Sequence, residues 1–209
     1  GSTGSPKPAL ICHENILIQY IGLCVGFELA PSDRMLINLP PSHVGCTTEQ
    51  LGTILFGGGV AVILHIFDAK LSLEAVEKHR VTIIGQIPAL FNMEWRLPEY
   101  SKYDLSSLRF ALYGGQAVPR EFLVKMKAMA PRIGTGLGLT ETAGFCTYTN
   151  VDADVDELAQ GIGFDSPLCP LTIRGLMNQD GTAGAEKPKG EVGEICFSGP
   201  QVFLGYLGD

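Results

Sequence analysis

Two glycine-rich stretches hold the residues best suited to gripping an anion. The first, Gly1-Ser2-Thr3-Gly4-Ser5-Pro6-Lys7, sets glycines beside the hydroxyls of Ser2, Thr3 and Ser5 and the ammonium of Lys7. Glycines let backbone N–H groups converge on one point, the hydroxyls donate, and the ammonium adds charge, a combination that suits a polyphosphate. Lys7 is followed by Pro8, where the P-loop ATPases need Ser or Thr for Mg²⁺, so that motif is excluded. The same composition also reads as a plain flexible loop. The second stretch, Gly134-Thr135-Gly136-Leu137-Gly138-Leu139-Thr140-Glu141-Thr142, spaces glycines ahead of a hydroxyl and a carboxylate. Its glycines would admit a flat ligand to the backbone, Thr140 could bond an oxygen, and Glu141 could hold Mg²⁺ against phosphate. The competing reading is a strand-to-helix turn with Glu141 as a solvated first-turn acid.

These residues need a scaffold, and the apolar pattern supplies one. Periodicity predicts helices over 13–29, 48–55, 71–79, from Pro88 onward, and over 119–129, the first of them buried. Short apolar runs bounded by Gly or Pro predict strands over 35–39, 60–66, 81–85, 108–113 and 132–134. Strands alternating with helices of about ten residues point to βαβ units, hence an α/β fold with a parallel-type sheet covered by helices. Beyond Pro167 the pattern changes to extended segments at 171–174 and 194–198, with Asn178-Gln179-Asp180-Gly181 as a hairpin signal. The expected organisation is an α/β part over 1–167 and the start of a β-rich subdomain over 168–209.

Composition excludes several function classes. Apolar residues make up 45% and charged residues 18%, which rules out intrinsic disorder. A net charge of −7 with no basic run argues against nucleic acid or an anionic membrane as partner. The longest apolar stretch, 57–66, is far short of the ~20 residues a bilayer span requires, so no transmembrane segment is expected. Cys12, Cys24, Cys46, Cys146, Cys169 and Cys196 form no Cys-x-x-Cys pair and read as reduced thiols of a cytoplasmic protein. The chain opens inside a loop without Met and ends without a terminating element, so it reads as a piece of a longer protein.

Four further stretches occur in order: Leu39-Pro40-Pro41-Ser42-His43-Val44-Gly45, Tyr113-Gly114-Gly115-Gln116-Ala117-Val118-Pro119, Gly161-Ile162-Gly163-Phe164-Asp165-Ser166-Pro167, and Gly190-Glu191-Val192-Gly193-Glu194-Ile195 with Gly199-Pro200 and Gly205-Tyr206. With the two stretches above, the chain resembles the adenylate-forming superfamily of acyl-CoA and aryl-CoA synthetases, peptide-synthetase adenylation domains and firefly-type luciferases. The resemblance covers essentially the whole chain and implies part of that superfamily's large N-terminal domain.

The resemblance also implies roles. Ser2, Thr3, Gly4, Ser5 and Lys7 would embrace the β- and γ-phosphates of ATP. Gly114, Gly115 and Gln116 would line the adenine and acyl site, and Gly136, Leu137, Gly138 and Leu139 would lie along the nucleotide. Thr140 would contact the α-phosphate and Glu141 the Mg²⁺. His43 would stand where the carboxylate and thiol sites join; a loop histidine satisfied by its neighbours is the other reading. Leu137 departs from the aromatic residue that stacks on adenine in many members, and Phe164 and Ser166 depart from the usual residues around Gly163. The superfamily's ribose-binding Asp, hinge, C-terminal lid domain and catalytic Lys match nothing here, and Asp209 is not taken for the ribose ligand.

The implied activity is an AMP-forming acid:CoA ligase. A carboxylate attacks ATP to give an acyl-adenylate and pyrophosphate, and CoA then displaces AMP, with Lys7, His43, Thr140 and Glu141 as the catalytic set. The partners are a small carboxylic acid, ATP and CoA; a homo-oligomer is compatible with the sequence, and the fragment alone is expected to be inactive. Alternatives are an amino-acid adenylation domain, or a non-catalytic nucleotide-binding fragment. Residues near Gln86, Phe91, Gly114 and Gly138 read as an apolar acid pocket, which favours aryl or acyl chains.

Overall fold

The computed structural model describes residues 7–208, so Ser2, Thr3, Gly4 and Ser5 lie outside the described residues. Its first part runs α1 (His13–Gly26), β1 (Arg34–Ile37), a wide π-helical segment Gly45–Gly52 continuing into α2 (Thr53–Phe56), β2 (Val60–Ile63), α3 (Ala69–His79), β3 (Ile83–Gln86), α4 (Pro88–Trp95), β4 (Phe110–Tyr113), α5 (Arg120–Met129) and β5 (Arg132–Gly134). The five strands form one parallel sheet in the order β2-β1-β3-β4-β5. Side chains alternate across a strand, so each register row belongs to one face. Val62, Leu36, Ile84, Ala111 and Ile133 lie in one row and pack under α3, α4 and α5, against Leu73, Phe91 and Leu123. The adjacent row, Ala61, Met35, Ile83 and Phe110, packs against Leu23, Phe27 and Ile54 on the other side. Helices on both faces explain why the strands read as continuous apolar runs.

Local chemistry sets the element ends. Asp68 caps α3 by accepting the Leu71 N–H at 2.9 Å, and Arg80 closes that helix in the left-handed region at φ 52°. Pro88 occupies the first turn of α4, where its missing N–H leaves no helical bond unmade. At the N-terminal ends of the inner strands, Asp33 is 2% exposed and takes Arg109 Nε at 2.6 Å, Thr82 Oγ1 at 2.8 Å and the Ala30 N–H at 2.8 Å. Burial pushes its carboxyl up, but these donors and the Arg109 charge outweigh burial and hold it below the usual carboxylate range.

The chain then folds as short antiparallel pairs: β6 (Gly138–Leu139) with β7 (Gly144–Phe145), β8 (Thr147–Tyr148) with β9 (Phe164–Asp165) beyond α6 (Val155–Leu158), and β10 (Leu171–Arg174) with β11 (Glu194–Phe197). The last pair matches the extended segments expected from the sequence, but its closing turn is elsewhere than expected. The Asn178–Gly181 turn, with Gly181 at φ 83°, closes an irregular ribbon in which Arg174 bridges Glu186, while β11 lies beside β10 through a later return of the chain.

α1 corrects a second expectation. It ends at Gly26, and its buried positions are Asn15, Gln19, Gly22 and Leu23, while Leu17, Ile21 and Val25 are exposed. Close packing selects this face. A Cβ on Gly22 or Gly26 would fall 2.6 Å from the Tyr148 side chain, so the two glycines seat that ring on the helix. Asn15 Nδ2 meanwhile donates to the Pro200 and Val202 carbonyls at 2.8 and 2.9 Å.

Candidate active site

The strand order reverses between β1 and β3, the place in an open α/β sheet where the loops leaving the strands part and ligands sit. A cavity of about 1060 Å³ opens there. Leu39, Pro40, Ser42, His43 and Gly45 reach it from the segment after β1, Gln86 and Ile87 from the end of β3, and Gly114 and Gly115 from the end of β4. Gly138, Leu139, Thr140 and Glu141 form another wall, and Lys7 and Tyr206 come from the two ends of the chain. Gly115 sits at φ 89°, a conformation costly for other residues, and carries the chain out of β4 past the cavity.

The charged side of the cavity is assembled from three distant segments. Residues 8–10 run antiparallel to 204–207 through the Leu10 N–H to Gly205 O bond at 2.9 Å and the Leu204 N–H to Leu10 O and Leu207 N–H to Pro8 O bonds at 2.8 Å. This ribbon carries Tyr206, whose hydroxyl donates to Glu141 Oε1, and Lys7 Nζ stands 5.1 Å from the Tyr206 ring centroid. The Phe203 N–H donates to the Glu141 carbonyl at 2.8 Å, so the turn bearing Thr140 and Glu141 is tied to the same ribbon. An ammonium, a carboxylate and a hydroxyl thus face one space, as binding of a phosphate and its counter-cation would require.

Across the cavity, His43 Nδ1 accepts the Gly45 N–H at 2.9 Å, so the neutral ring carries its proton on Nε2. Deeper in, Gln50 and Gln86 belong to a buried chain of side chains. Gln50 Nε2 donates to Asn38 Oδ1 at 3.0 Å, Asn38 Nδ2 to Gln86 Oε1 at 2.6 Å, and Gln86 Nε2 to Glu94 Oε2 at 2.7 Å; Ser72 Oγ donates to Glu94 Oε1 at 2.6 Å. Both Glu94 oxygens accept here, and that sets the direction of every amide back to the cavity wall. Burial lifts its carboxyl to about 7 against these two hydrogen bonds.

Of the residues expected to form a nucleotide site, the structure brings Lys7, His43, Gly114, Gly115, Gly138, Leu139, Thr140 and Glu141 to this cavity. Gln116 is exposed outside it. Gly136 and Leu137 lie against β8: a Cβ on Gly136 would fall 1.9 Å from the Thr147 carbonyl oxygen, and the Leu137 N–H donates to Thr147 Oγ1 at 2.8 Å. Phe91 is fully buried between Trp95 and Phe122 rather than in the acid pocket. Two cavity residues escaped the sequence reading. Tyr206 was visible only as part of a Gly-Tyr motif. Glu49 had a clearer signal, being the sole Asp, Glu, Lys or Arg between Arg34 and Asp68.

Comparison with known proteins gives concordant results. Residues 1–207 match the family described as AMP-binding enzyme. Among curated proteins, the chain is 32% identical over 208 residues to a feruloyl-CoA synthase of Amycolatopsis sp, covering 100% of this chain and 41% of that protein. It is also 32% identical over 209 residues to an indoleacetate–CoA ligase of Aromatoleum aromaticum, covering 100% and 40%. The chain therefore spans about two fifths of the length of these relatives. The N-terminal domain of FACL13 from Mycobacterium tuberculosis superposes with a TM-score of 0.86 at 24% identity, over 100% of this chain and 50% of that one. A long-chain-fatty-acid-CoA ligase from Archaeoglobus fulgidus gives 0.86 at 24%, over 99% and 42%. At that identity the two structures establish a shared fold.

Proposed function

Since the chain belongs to the AMP-binding enzyme family, we propose that it contributes the phosphate and acid sites of an AMP-forming acid:CoA ligase, an enzyme that works on cytoplasmic ATP and CoA. The supporting observation is the convergence of Lys7, Thr140, Glu141, Gly114 and Gly115 on one cavity at the β1/β3 switch point. The curated relatives, named for ferulate and indoleacetate, favour an aryl acid. In this reading 1–167 is the α/β part of the N-terminal domain, and 168–209 begins its β-rich subdomain.

The chemistry follows from the placement. An acid carboxylate laid along the cavity floor approaches the α-phosphate of ATP near Thr140, whose hydroxyl donates to a phosphoryl oxygen. Lys7 neutralises the phosphates, and the backbone at Gly114 and Gly115 leaves room for the adenine plane. Orientation and charge neutralisation are what this reaction asks of a protein, with no side-chain nucleophile. The hard oxygens of Glu141 and Thr140 fit Mg²⁺, which binds through one or two carboxylates together with phosphate oxygens. When bound it supplies further neutralisation of phosphate charge. His43, with Nε2–H as its free donor, stands where the acyl group meets the incoming thiol.

The decisive experiment is acid-dependent exchange of pyrophosphate into ATP by the full-length protein, followed by detection of the CoA thioester. Exchange with aryl or acyl acids and thioester formation with free CoA are expected. Exchange confined to amino acids, or transfer only to a carrier protein, would instead make the chain part of an adenylation domain. Nucleotide binding without exchange would leave a non-catalytic binding module.

A further inference from the structure

Glu49 is a carboxyl in the cavity lining that the phosphate chemistry does not use. It projects from the π-helical segment Gly45–Gly52 into the cavity, whose lining mixes Leu23, Leu39, Leu112 and Phe145 with the polar His43, Gln50 and Gln86. Two glycines make room for it. A Cβ on Gly138 or on Gly144 would fall 3.1 Å from Glu49 Oε1, and Gly144 sits at φ 133°. The carboxyl receives one internal hydrogen bond, from the Phe145 N–H. Among the described residues no Lys, Arg or His forms an ion pair with it. Burial lifts this carboxyl to about 7, the physical sign of an uncompensated charge.

A half-buried carboxyl with a single hydrogen bond and no cationic partner is costly until something more donates to it, and a ligand that does so relieves that cost. Polar groups placed this way discriminate far more sharply than apolar contacts, because a ligand lacking the donor leaves the wall group unpaired. We propose that Glu49 is a specificity-determining residue that selects carboxylic acids carrying an N–H or O–H donor on their ring or chain, which deepens the acid:CoA ligase reading and rests on it. Simple hydrocarbon acids fill the same cavity but leave the Glu49 carboxyl without a partner.

The test uses the full-length protein and two acids of the same shape: indole-3-acetic acid, whose ring N–H only donates, and benzofuran-3-acetic acid, which puts an ether oxygen in its place. Binding of each is measured by calorimetry above pH 8, where the Glu49 carboxyl is ionised and only accepts, and pyrophosphate exchange separately, for wild type, Glu49→Gln and Glu49→Leu. Wild type is expected to bind the indole acid at least tenfold more tightly. Glu49→Leu should bring the pair within twofold of each other. Glu49→Gln keeps an oxygen for the Phe145 N–H and turns an NH₂ to the cavity, so it should favour the benzofuran acid. Should Glu49→Leu fail to fold, the Gln variant decides. An equal preference in wild type and Gln variant, or binding of neither acid, overturns the proposal. Absence of exchange with every acid tested, alongside a Glu49-dependent binding preference, would overturn the ligase reading and leave the specificity assignment standing.

Discussion

Glu94 offers a quantitative check on the buried amide chain behind the cavity. It is 0% exposed, and burial raises its carboxyl from 4.5 to about 7. The folded state therefore holds this proton more tightly than the unfolded chain does. The contribution to stability is full below the unfolded value of about 4.5, declines as pH rises, and is gone above about 7. A shift of about 2.5 units corresponds to about 3 kcal/mol between pH 4.5 and 8. Glu94→Gln removes this titration while preserving the chain, because the amide oxygen can still accept from Gln86 Nε2 and the amide NH₂ can donate to Ser72 Oγ. Urea unfolding of the 209-residue chain, followed by fluorescence of its one tryptophan, Trp95, packed on Phe91 and Phe122, reads the effect. The variant should gain about 2–3 kcal/mol on wild type between pH 5 and 8. Glu49 titrates in the same window, but it does so in both proteins and cancels in the difference. A wild-type-minus-variant difference that stays constant over this range would refute the argument. Glu94→Leu, which strands Ser72 Oγ and Gln86 Nε2, should lose about 2–5 kcal/mol at every pH.

Other outcomes follow from the same geometry. In the full-length protein, Lys7→Ala and Glu141→Ala should each lower kcat/KM for adenylation by about 100-fold or more, roughly 2–4 kcal/mol of transition-state stabilisation, with the fold intact by circular dichroism. Unchanged turnover of Glu141→Ala across a Mg²⁺ titration would make that residue a solvated turn acid. Asp33→Asn should destabilise the chain at pH 7 by about 2–3 kcal/mol in urea unfolding, discounted because Arg109 is 30% exposed. Since the Asp33 carboxyl is held low, its stabilisation is present above the unfolded value and lost as pH falls, so the deficit should shrink in acid. The 209-residue chain by itself, about two fifths of the length of its curated relatives, should show no acid-dependent pyrophosphate exchange; measurable exchange would show that the rest of that length is dispensable for adenylation.

The strands were legible because parallel-sheet strands buried on both faces are brief apolar runs, as at Ile83-Ile84 and Phe110-Ala111-Leu112, punctuated by Gly or Pro. The start of α4 at Pro88 was legible for the same local reason, whereas the Asp68 cap of α3 was not read. The burial of α1 was not legible. Its apolar residues Leu17, Ile21 and Val25 face outward, and the inward face depends on Tyr148, a residue over a hundred positions away that only Gly22 and Gly26 can accommodate. The ribbon around Asn178–Gly181 was misassigned to β10 and β11 because turn chemistry identifies the turn and not which strands pair beyond it.

The cavity divides along the same line. Its apolar half is built by the sheet itself, since any chain with this strand order must open a crevice between β1 and β3, and the motifs at Leu39–Gly45 and Gly114-Gly115 announce loops leaving those strands. Its charged half is built by the ribbon of 8–10 with 204–207, which carries Tyr206 onto Glu141 and under Lys7. No periodicity encodes that pairing. A Tyr near a chain end reads as an ordinary amphipathic residue until its hydroxyl is seen on a carboxylate, and an acid on a helical segment reads as solvated until two glycines are seen making room for it. Residues defined by local backbone need could therefore be read from sequence. Those defined by a long-range polar contact, Tyr206, Glu49 and the amide chain ending at Glu94, required the fold. The polar groups to which we assign this cavity's selectivity belong mainly to the second kind.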